Sequence, residues 1–322
     1  MKKQTTAWLI AATALIAIGL ILFGGALTML HWNFKNLSTV KYETNCYEIN
    51  EDFKNISIAV NTANIKIVPS EDGKTAVECF EQIGLKHSVK AENGALAIKN
   101  TDTRKWYEYI GIGFQTTKIT VYLPAGEYGA LSVKSTTGHA EIPKDFKFES
   151  VNISATTGSV QNMASAAEAI RIKTSTGDIR MEGITAESVD LEVSAGKITV
   201  SNVSCEKDFR IKVSTGDTKL TDMTCANLFS EGTTGNLLLT NVTASEKLTI
   251  HRNTGDVSFE RCDAGEIFVK VTTGKITGTL RSAKDFSACR SETGKVRVPE
   301  TADGGRCELI TDTGSIRIEI AK

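Results

Sequence analysis

A glycine recurs every 19 or 20 residues through the C-terminal part of this chain, and that ladder limits what the chain can fold into. Threonine precedes the glycine in nine of the ten cases, and Ala195 is the exception. Self-similarity at a fixed period is typical of a repeat architecture, so each period should form one structural unit. The ladder consists of Gly138, Gly158, Gly177, Gly196, Gly216, Gly235, Gly255, Gly274, Gly294 and Gly314.

Apolar and polar residues alternate on both sides of each glycine. After Gly177, for example, Ile179 and Met181 are apolar and Arg180 between them is polar. Period-2 alternation predicts a strand with one buried face. A second strand with the same alternation ends shortly before each glycine, so one period predicts a strand, a Thr-Gly turn, a strand and a return corner.

The columns of equivalent residues determine how the periods pack. Hairpins within single periods would not explain why every column repeats, whereas coils stacked in parallel place each residue above its equivalent. At about 4.8 Å per coil, ten coils predict a rod on the order of 50 Å long. We therefore predict an all-β fold, a parallel β-solenoid or β-helix-like stack of about 20-residue coils over 131–322. Small residues mark its return corner: Ala167, Ala186, Cys205, Cys225, Ala244, Ala264 and Ala283.

The segment 51–130 precedes the regular repeats. Its start, Ile56 to Ile67, reproduces the coil pattern with Ala63 in the glycine column. The period then breaks between Glu71 and Tyr128, where several short strands and an Asn93-Gly94 hairpin signal occur. We predict that 51–130 forms the first coil and a capping β insertion.

The N-terminal region contains 23 uncharged residues, 8–30, enough to span a bilayer as a helix. Lys2 and Lys3 precede it, so the positive-inside tendency predicts a cytoplasmic tail at 1–7. Residues 31–50 would form a juxtamembrane segment, and the C-terminal domain would be extracytoplasmic at the cell membrane. A cleaved signal peptide is the alternative, although the apolar run exceeds the usual 7–15 residues.

Charge and motif content argue against several classes of function. The chain has 37 basic and 38 acidic residues, without the excess of basic charge expected of a nucleic-acid binder. No nucleophile elbow, phosphate loop or dinucleotide fingerprint occurs. Lysines such as Lys197 interrupt the column of Gly-Asp turns, unlike a calcium roll. The four histidines lack metal-ligand spacing: His31, His87, His139 and His251.

We therefore expect no catalytic residues, no cofactor and no metal site, and we predict that the chain is not an enzyme. A carbohydrate-active β-helix enzyme is the less favoured alternative, because such enzymes group carboxylates on one face. In this sequence Glu182, Asp190 and Asp222 are scattered through the coils with no evident pairing.

Seven cysteines, an odd number without any C-x-x-C, argue against a zinc cluster or a complete disulfide framework. Cys205 and Cys225 occupy one corner column and should be stacked neighbours. Either a disulfide or two small buried thiols in place of alanine would fit that column.

Aromatic and basic residues cluster in the insertion, which makes it a candidate ligand surface for a glycan or a lipid headgroup. The alternative is that the rings pack within the cap. The candidate residues are Arg104, Lys105, Trp106, Tyr107 and Tyr109.

The last strand, with Ile316, Ile318 and Ile320, is followed only by Ala321 and Lys322. An uncovered last coil would expose unpaired backbone groups and apolar core. We therefore predict end-on association of this coil with a second copy or with a partner protein.

Three pieces of the sequence resemble the bacterial "putative adhesin" family, an extracytoplasmic β-strand-repeat domain of unknown function. They are the Ile-x-Ile coil before Pro69, the strand from Lys118 to Pro124, and the ten Thr/Ala-Gly turns, so the resemblance covers about residues 45–320. It implies a cell-envelope protein, with some relatives in operons for envelope stress, and it carries no catalytic residues.

Two classes of function follow from these features. The first is a membrane-anchored, adhesin-like module that acts structurally or binds an envelope glycan. The alternative is an accessory component of envelope-stress sensing that acts through a membrane-protein partner, because a seven-residue cytoplasmic tail cannot hold a signalling domain.

Overall fold

The structure is a computed structural model that describes residues 2–29, 31–32, 38–106, 113, 115–301 and 303–321. Its helix α1 (Lys2–Met29) contains a stretch, Thr5–Met29, that is long and apolar enough to cross a membrane. Such a helix serves either as a membrane anchor or as a signal sequence. The described residues after it form 25 β-strands.

Seven strands precede the regular repeats. They are β1 (Tyr42–Ile49), β2 (Asn55–Thr62), β3 (Asn64–Pro69), β4 (Thr75–Gln82), β5 (Leu85–Glu92), β6 (Ala95–Asp102) and β7 (Lys118–Leu123). The repeats begin with β8 (Gly126–Thr137), β9 (Ala140–Ile142), β10 (Phe146–Thr157), β11 (Val160–Asn162), β12 (Ser165–Ala166), β13 (Ala169–Thr176) and β14 (Ile179–Ala186).

The remaining repeats are built in the same way, and some of their strands continue around a corner. They are β15 (Ser188–Ala195), β16 (Ile198–Cys205), β17 (Asp208–Thr215), β18 (Thr218–Thr234), β19 (Leu237–Thr254), β20 (Val257–Thr273), β21 (Ile276–Leu280), β22 (Arg290–Ser291), β23 (Val296–Arg297), β24 (Cys307–Thr313) and β25 (Ile316–Ile320).

The predicted parallel solenoid of stacked coils is confirmed. Strands that precede the glycines pair in parallel with their equivalents in the next coil, and we call their outward surface face A; Val151, for example, pairs with Ile170. Strands that follow the glycines do the same and form face B, where Ile179 pairs with Ile198. The inward side chains of both faces merge into one hydrophobic core along the stack.

Each ladder glycine lies against the glycine of the neighbouring coil, and Gly216 shows why no other residue fits. Its φ of 138° is a conformation that L side chains rarely adopt. A Cβ at this position would also overlap the carbonyl group of Gly196. The turns are held at this separation because Gly216 N donates to Thr234 O at 2.9 Å and Gly196 N donates to Thr215 O at 3.0 Å.

The return corner uses a second column of left-handed residues, six positions after five of the ladder glycines. Asn202, Asp222 and Asn241 adopt φ of 53°, 50° and 55°, and Gly183 adopts 67°. Asparagine, aspartate and glycine tolerate this conformation better than other residues. Turn chemistry therefore accounts for these asparagines.

Arg261 occupies the same column with φ 53°, although arginine has no preference for that conformation. We expect Arg261→Asn to increase the free energy of unfolding by about 0.5–1 kcal/mol, because asparagine adopts this conformation with less strain. Urea unfolding of the detergent-solubilised protein, followed by far-UV circular dichroism, would measure the gain. The reciprocal variant Asn202→Arg should lose a similar amount, and a loss of stability in Arg261→Asn would contradict the assignment.

The first coil along the chain is not the outermost coil at the N-terminal end. Strands β2 and β3 pair on one side with β8 and β9, and on the other side with β6 and β7. The chain thus leaves the stack after Pro69 and returns to add a coil below. Antiparallel strands then join this end, since β4 pairs with β1 and β7 and β5 pairs with β6.

A matching inversion occurs at the C-terminal end. Strand β24 pairs with β20 on its inner side and β22 on its outer side, and β25 lies in the same way between β21 and β23. The glycines stack accordingly, because a Cβ on Gly314 would overlap Gly274 O and a Cβ on Gly294 would overlap Gly314 O.

The prediction that the strand through Ile316, Ile318 and Ile320 forms the uncovered end of the stack is therefore wrong. Strands β22 and β23 cover part of it. The coil that contains Gly294 is the outermost one, and the coil that contains Gly314 lies between it and the coil that contains Gly274. The cover is incomplete, since β23 pairs with β25 only at Ile316 and Arg317. End-on association of the stack stays a prediction.

The side chain of Arg252 places a positive charge within the apolar core. Arg252 is 3% exposed and points inward, and its Nη2 donates to Ser230 Oγ at 3.0 Å and to Thr218 Oγ1 at 3.4 Å. Its Nε has no hydrogen-bond partner, and burial lowers the pKa of Arg252 to about 10. A Cβ on Gly232 would overlap Arg252 Nη1. Thr218, Ser230 and Gly232 thus interrupt otherwise apolar columns where the guanidinium needs polar partners and space.

Candidate functional site

A buried polar cluster joins strands of the N-terminal cap. Glu81 and His87 are 0% and 3% exposed, and the Glu81 carboxylate accepts from His87 N at 2.6 Å and His87 Nδ1 at 2.7 Å. Its other oxygen accepts from Asn45 Nδ2 at 2.7 Å. Tyr47 Oη donates to His87 O at 3.3 Å. The network ties β1, β4 and β5 together.

Cys79 lies beside this pair, and its sulfur, a Glu81 oxygen and a His87 ring nitrogen fall within 4.8 Å of one another. These are ligand types that Zn²⁺ accepts. However, the Glu81 carboxylate already accepts three hydrogen bonds, and burial raises the pKa of Cys79 to about 12. All three side chains are buried, which leaves a substrate no route to them. The cluster therefore fits a structural junction better than a reactive centre.

The aromatic segment proposed from the sequence follows β6. Arg104 forms an ion pair with Asp102 at 2.6 Å, and the Trp106 ring is 80% exposed. Lys105 is also exposed. Tyr107 and Tyr109 lie outside the described residues. The described part of this candidate surface thus presents one cation and one aromatic ring to solvent.

A polar groove on face A was not found from the sequence. Lys212, Glu231 and His251 lie side by side in successive coils because their strands pair in register. Together with neighbouring hydroxyl and amide side chains they line a groove of about 200 Å³. Outward side chains in such a column are brought within contact by the coil spacing of about 4.8 Å.

Two half-buried aromatic rings lie beside this groove on the outward side of face A. The Phe229 ring lies 4.8 Å from the guanidinium carbon of Arg210, and the Phe268 ring lies 5.4 Å from the imidazole of His251. These rings were not predicted from the sequence, although outward positions of a solenoid strand are usually polar and aromatic residues there are a detectable signal. Aromatic faces beside hydrogen-bonding groups can bind the apolar face of a sugar ring.

Cys205 and Cys225 are both free thiols in the corner column, which agrees with the alternative of two small buried thiols and not with a disulfide. Cys205 Sγ donates to Glu187 O and Asp208 O at 3.4 Å, and Cys225 Sγ lies 3.9 Å from Thr243 O. Each thiol is thus directed at a backbone carbonyl, which suits two small buried residues in place of alanine.

Comparison with known structures gives several neighbours of low sequence identity. A structure described as a putative lipid binding protein from Parabacteroides distasonis is 16% identical, with 77% of this chain and 98% of that chain covered and a TM-score of 0.47. Putative adhesins from P. distasonis and Bacteroides fragilis are 12% and 16% identical. Both alignments cover 87% of this chain. The P. distasonis adhesin is covered to 98% with a TM-score of 0.44, and the B. fragilis adhesin is covered to 97% with a TM-score of 0.38.

Comparison with curated protein sequences gives no significant match. A family model described as Toastrack DUF4097 matches residues 53–211 and again residues 205–322. The two matches together cover the stacked coils and both ends of the solenoid, which agrees with the resemblance inferred from the Thr-Gly turns. The chain therefore belongs to the Toastrack DUF4097 family.

Proposed function

We propose that this protein is a membrane-anchored module of the cell envelope that binds a glycan polymer outside the cytoplasm through face A. Helix α1 would be the uncleaved anchor, with residues 1–7 in the cytoplasm. The observation that carries the binding proposal is the groove beside Phe229 and Phe268, where rings, charges and hydroxyl groups share one outward surface.

A rigid stack suits a polymer better than a small molecule. The face A strands are in register from coil to coil, so binding groups repeat along the stack at about 4.8 Å. Weak contacts that repeat along one rigid surface gain affinity together, because the second contact no longer costs a separate association step. This reasoning favours a non-enzymatic role, since binding along a face needs no closed catalytic pocket.

The binding test uses full-length protein in lipid nanodiscs and isolated cell-wall sacculi as the probe, with co-sedimentation as the measurement. We expect Phe229→Ser/Phe268→Ser to weaken binding at least about tenfold, because stacked rings contribute on the order of 1 kcal/mol each. The control variant Lys219→Ser changes an exposed side chain on face B and should bind normally.

The same experiment separates the alternatives. Loss of binding in Trp106→Ser, with face A intact, would assign the ligand surface to the cap segment that includes Arg104 and Lys105. Absence of any binding by the unaltered protein would contradict the glycan proposal. Crosslinking that instead recovers one membrane protein would support the role in envelope-stress sensing.

Membrane orientation is tested separately with an impermeant maleimide on intact cells. Cys46 on β1 is exposed, so an extracytoplasmic solenoid should be labelled there. A Cys46→Ser/Cys289→Ser variant should lose the label and serves as the control, because the other five cysteines are buried. Labelling of Cys46 only after the cells are lysed would contradict the proposed orientation.

A further inference from the structure

Two of the seven cysteines are in contact at the inverted C-terminal end of the stack. Cys289 immediately precedes β22, and Cys307 begins β24, the strand that pairs with β22. Cys289 Sγ lies 3.4 Å from the carbonyl oxygen of Cys307. The chain separation is 18 residues, so the contact closes the loop that contains β22 and β23.

The two thiols have different surroundings. Cys307 is 0% exposed, whereas Cys289 is only partly buried. A hydrogen bond with Cys307 lowers the pKa of the Cys289 thiol, and the same bond together with burial raises the pKa of Cys307. Cys289 therefore supplies the thiolate that an external reagent can reach, and Cys307 remains protonated beside it.

We propose that Cys289 and Cys307 form a disulfide by thiol–disulfide exchange with an external disulfide, either a small molecule or a protein. The Cys289 thiolate attacks one sulfur of the external disulfide, which forms a mixed disulfide and releases one thiol. Cys307 then loses its proton and attacks Cys289 Sγ, which forms the Cys289–Cys307 bond and releases the second thiol. The two protein thiols are oxidised, and one external disulfide is reduced to two thiols.

The bond would act where the stack is weakest. Strands β22 and β23 contain only two residues each, so the outermost coil has few backbone hydrogen bonds to hold it. Its position depends on Gly294 lying directly against Gly314. A cross-link at the start of β22 limits how far the 290–306 loop can move when the coil opens, because it shortens the free segment.

The other stacked pair provides an internal control. Cys205 and Cys225 are neighbours in one corner column, yet both are buried, so neither presents a thiol to an external disulfide. The structure thus assigns exchange chemistry to the end pair and not to the corner pair. Cys79 and Cys262 are also buried, and Cys46 lies at the opposite end of the stack on β1.

The test uses full-length protein in detergent, equilibrated with oxidised glutathione, alkylated in denaturant and mapped by mass spectrometry. We expect a cross-linked peptide that contains Cys289 and Cys307, with Cys205 and Cys225 fully alkylated. Tryptic cleavage at Lys295 and Arg297 should slow about tenfold in the oxidised form, because cleavage requires the end coil to open. A Cys307→Ser variant should retain glutathione on Cys289, since the second attack is lost.

Three outcomes would overturn the proposal. The first is free, alkylatable Cys289 and Cys307 after oxidation of the unaltered protein. The second is glutathione that persists on Cys289 while Cys307 is present, because the thiols would then be too constrained to exchange. The third is a cross-link between Cys205 and Cys225 in place of the end pair. None of these readings requires an altered chain, so a misfolded variant cannot obscure the result.

Discussion

Gly216→Val should lower the free energy of unfolding by about 3–5 kcal/mol, a large loss for a single substitution. The φ of 138° alone would strain a branched residue, and the added Cβ would also overlap the backbone of Gly196. Neither turn can move aside cheaply, because both are hydrogen-bonded to the next coil. Urea unfolding of detergent-solubilised protein, followed by far-UV circular dichroism, measures the loss.

Three control variants separate the causes. Gly126→Val lies in open space without a positive φ and should lose less than about 1 kcal/mol. Gly183→Val has φ 67° but no neighbour within 4 Å, so it reports backbone strain alone at about 1–2 kcal/mol. Lys219→Val changes an exposed outward side chain and should lose less than about 1 kcal/mol. Similar losses in Gly216→Val and Lys219→Val would contradict the coil register.

The second large effect is a coupling between Gly232 and Arg252. Gly232→Val alone should cost about 3 kcal/mol, because the new Cβ takes the space of the Arg252 guanidinium in a closed core. Arg252→Val alone should change stability by roughly 1 kcal/mol or less. It removes a buried charge that lacks a carboxylate partner in the described part of the chain, but it leaves a small cavity.

The double variant Gly232→Val/Arg252→Val should recover most of the loss, since it restores the apolar column of Val213 and Val271. A double-mutant cycle should give a coupling of about 2–3 kcal/mol. The matched cycle of Gly232→Val with Arg210→Val should be additive, because Arg210 is exposed on face A. Additivity in both cycles would show that the guanidinium does not occupy the space over Gly232.

Much of the candidate site depends on contacts between residues that cannot be predicted from the individual residues of the sequence. His87 lacked any metal spacing in the sequence, and it meets Glu81 only because the β4–β5 hairpin folds the two strands together. Phe229 and Phe268 lie on outward positions of face A, but alternation alone does not show that Phe268 packs against His251, which lines the groove. Trp106 was identified from composition, and its 80% exposure is a property of the folded cap.

The sequence by itself determined the coil and its direction of stacking. A ladder of Thr-Gly turns with alternation on both sides admits one arrangement, because a shift of one residue would turn every apolar side chain outward. Gly216 can be recognised as a turn residue from the sequence without knowing which residues surround it in the structure. Its equivalents above and below were also predictable, since stacked coils place identical positions in contact.

Only the tertiary structure decided the order of the coils at both ends. Every coil offers the same edge to its neighbour, so the repeat pattern cannot tell whether Gly294 or Gly314 follows Gly274 in space. The choice depends on how the irregular 281–306 segment crosses the end of the stack. The buried position of Arg252 could not be predicted for a related reason. Its hydrogen-bond partners, Ser230 and Thr218, and the space over Gly232 are provided by other coils and not by its own. Local periodicity reports which face a residue occupies, whereas packing between coils decides what it meets there.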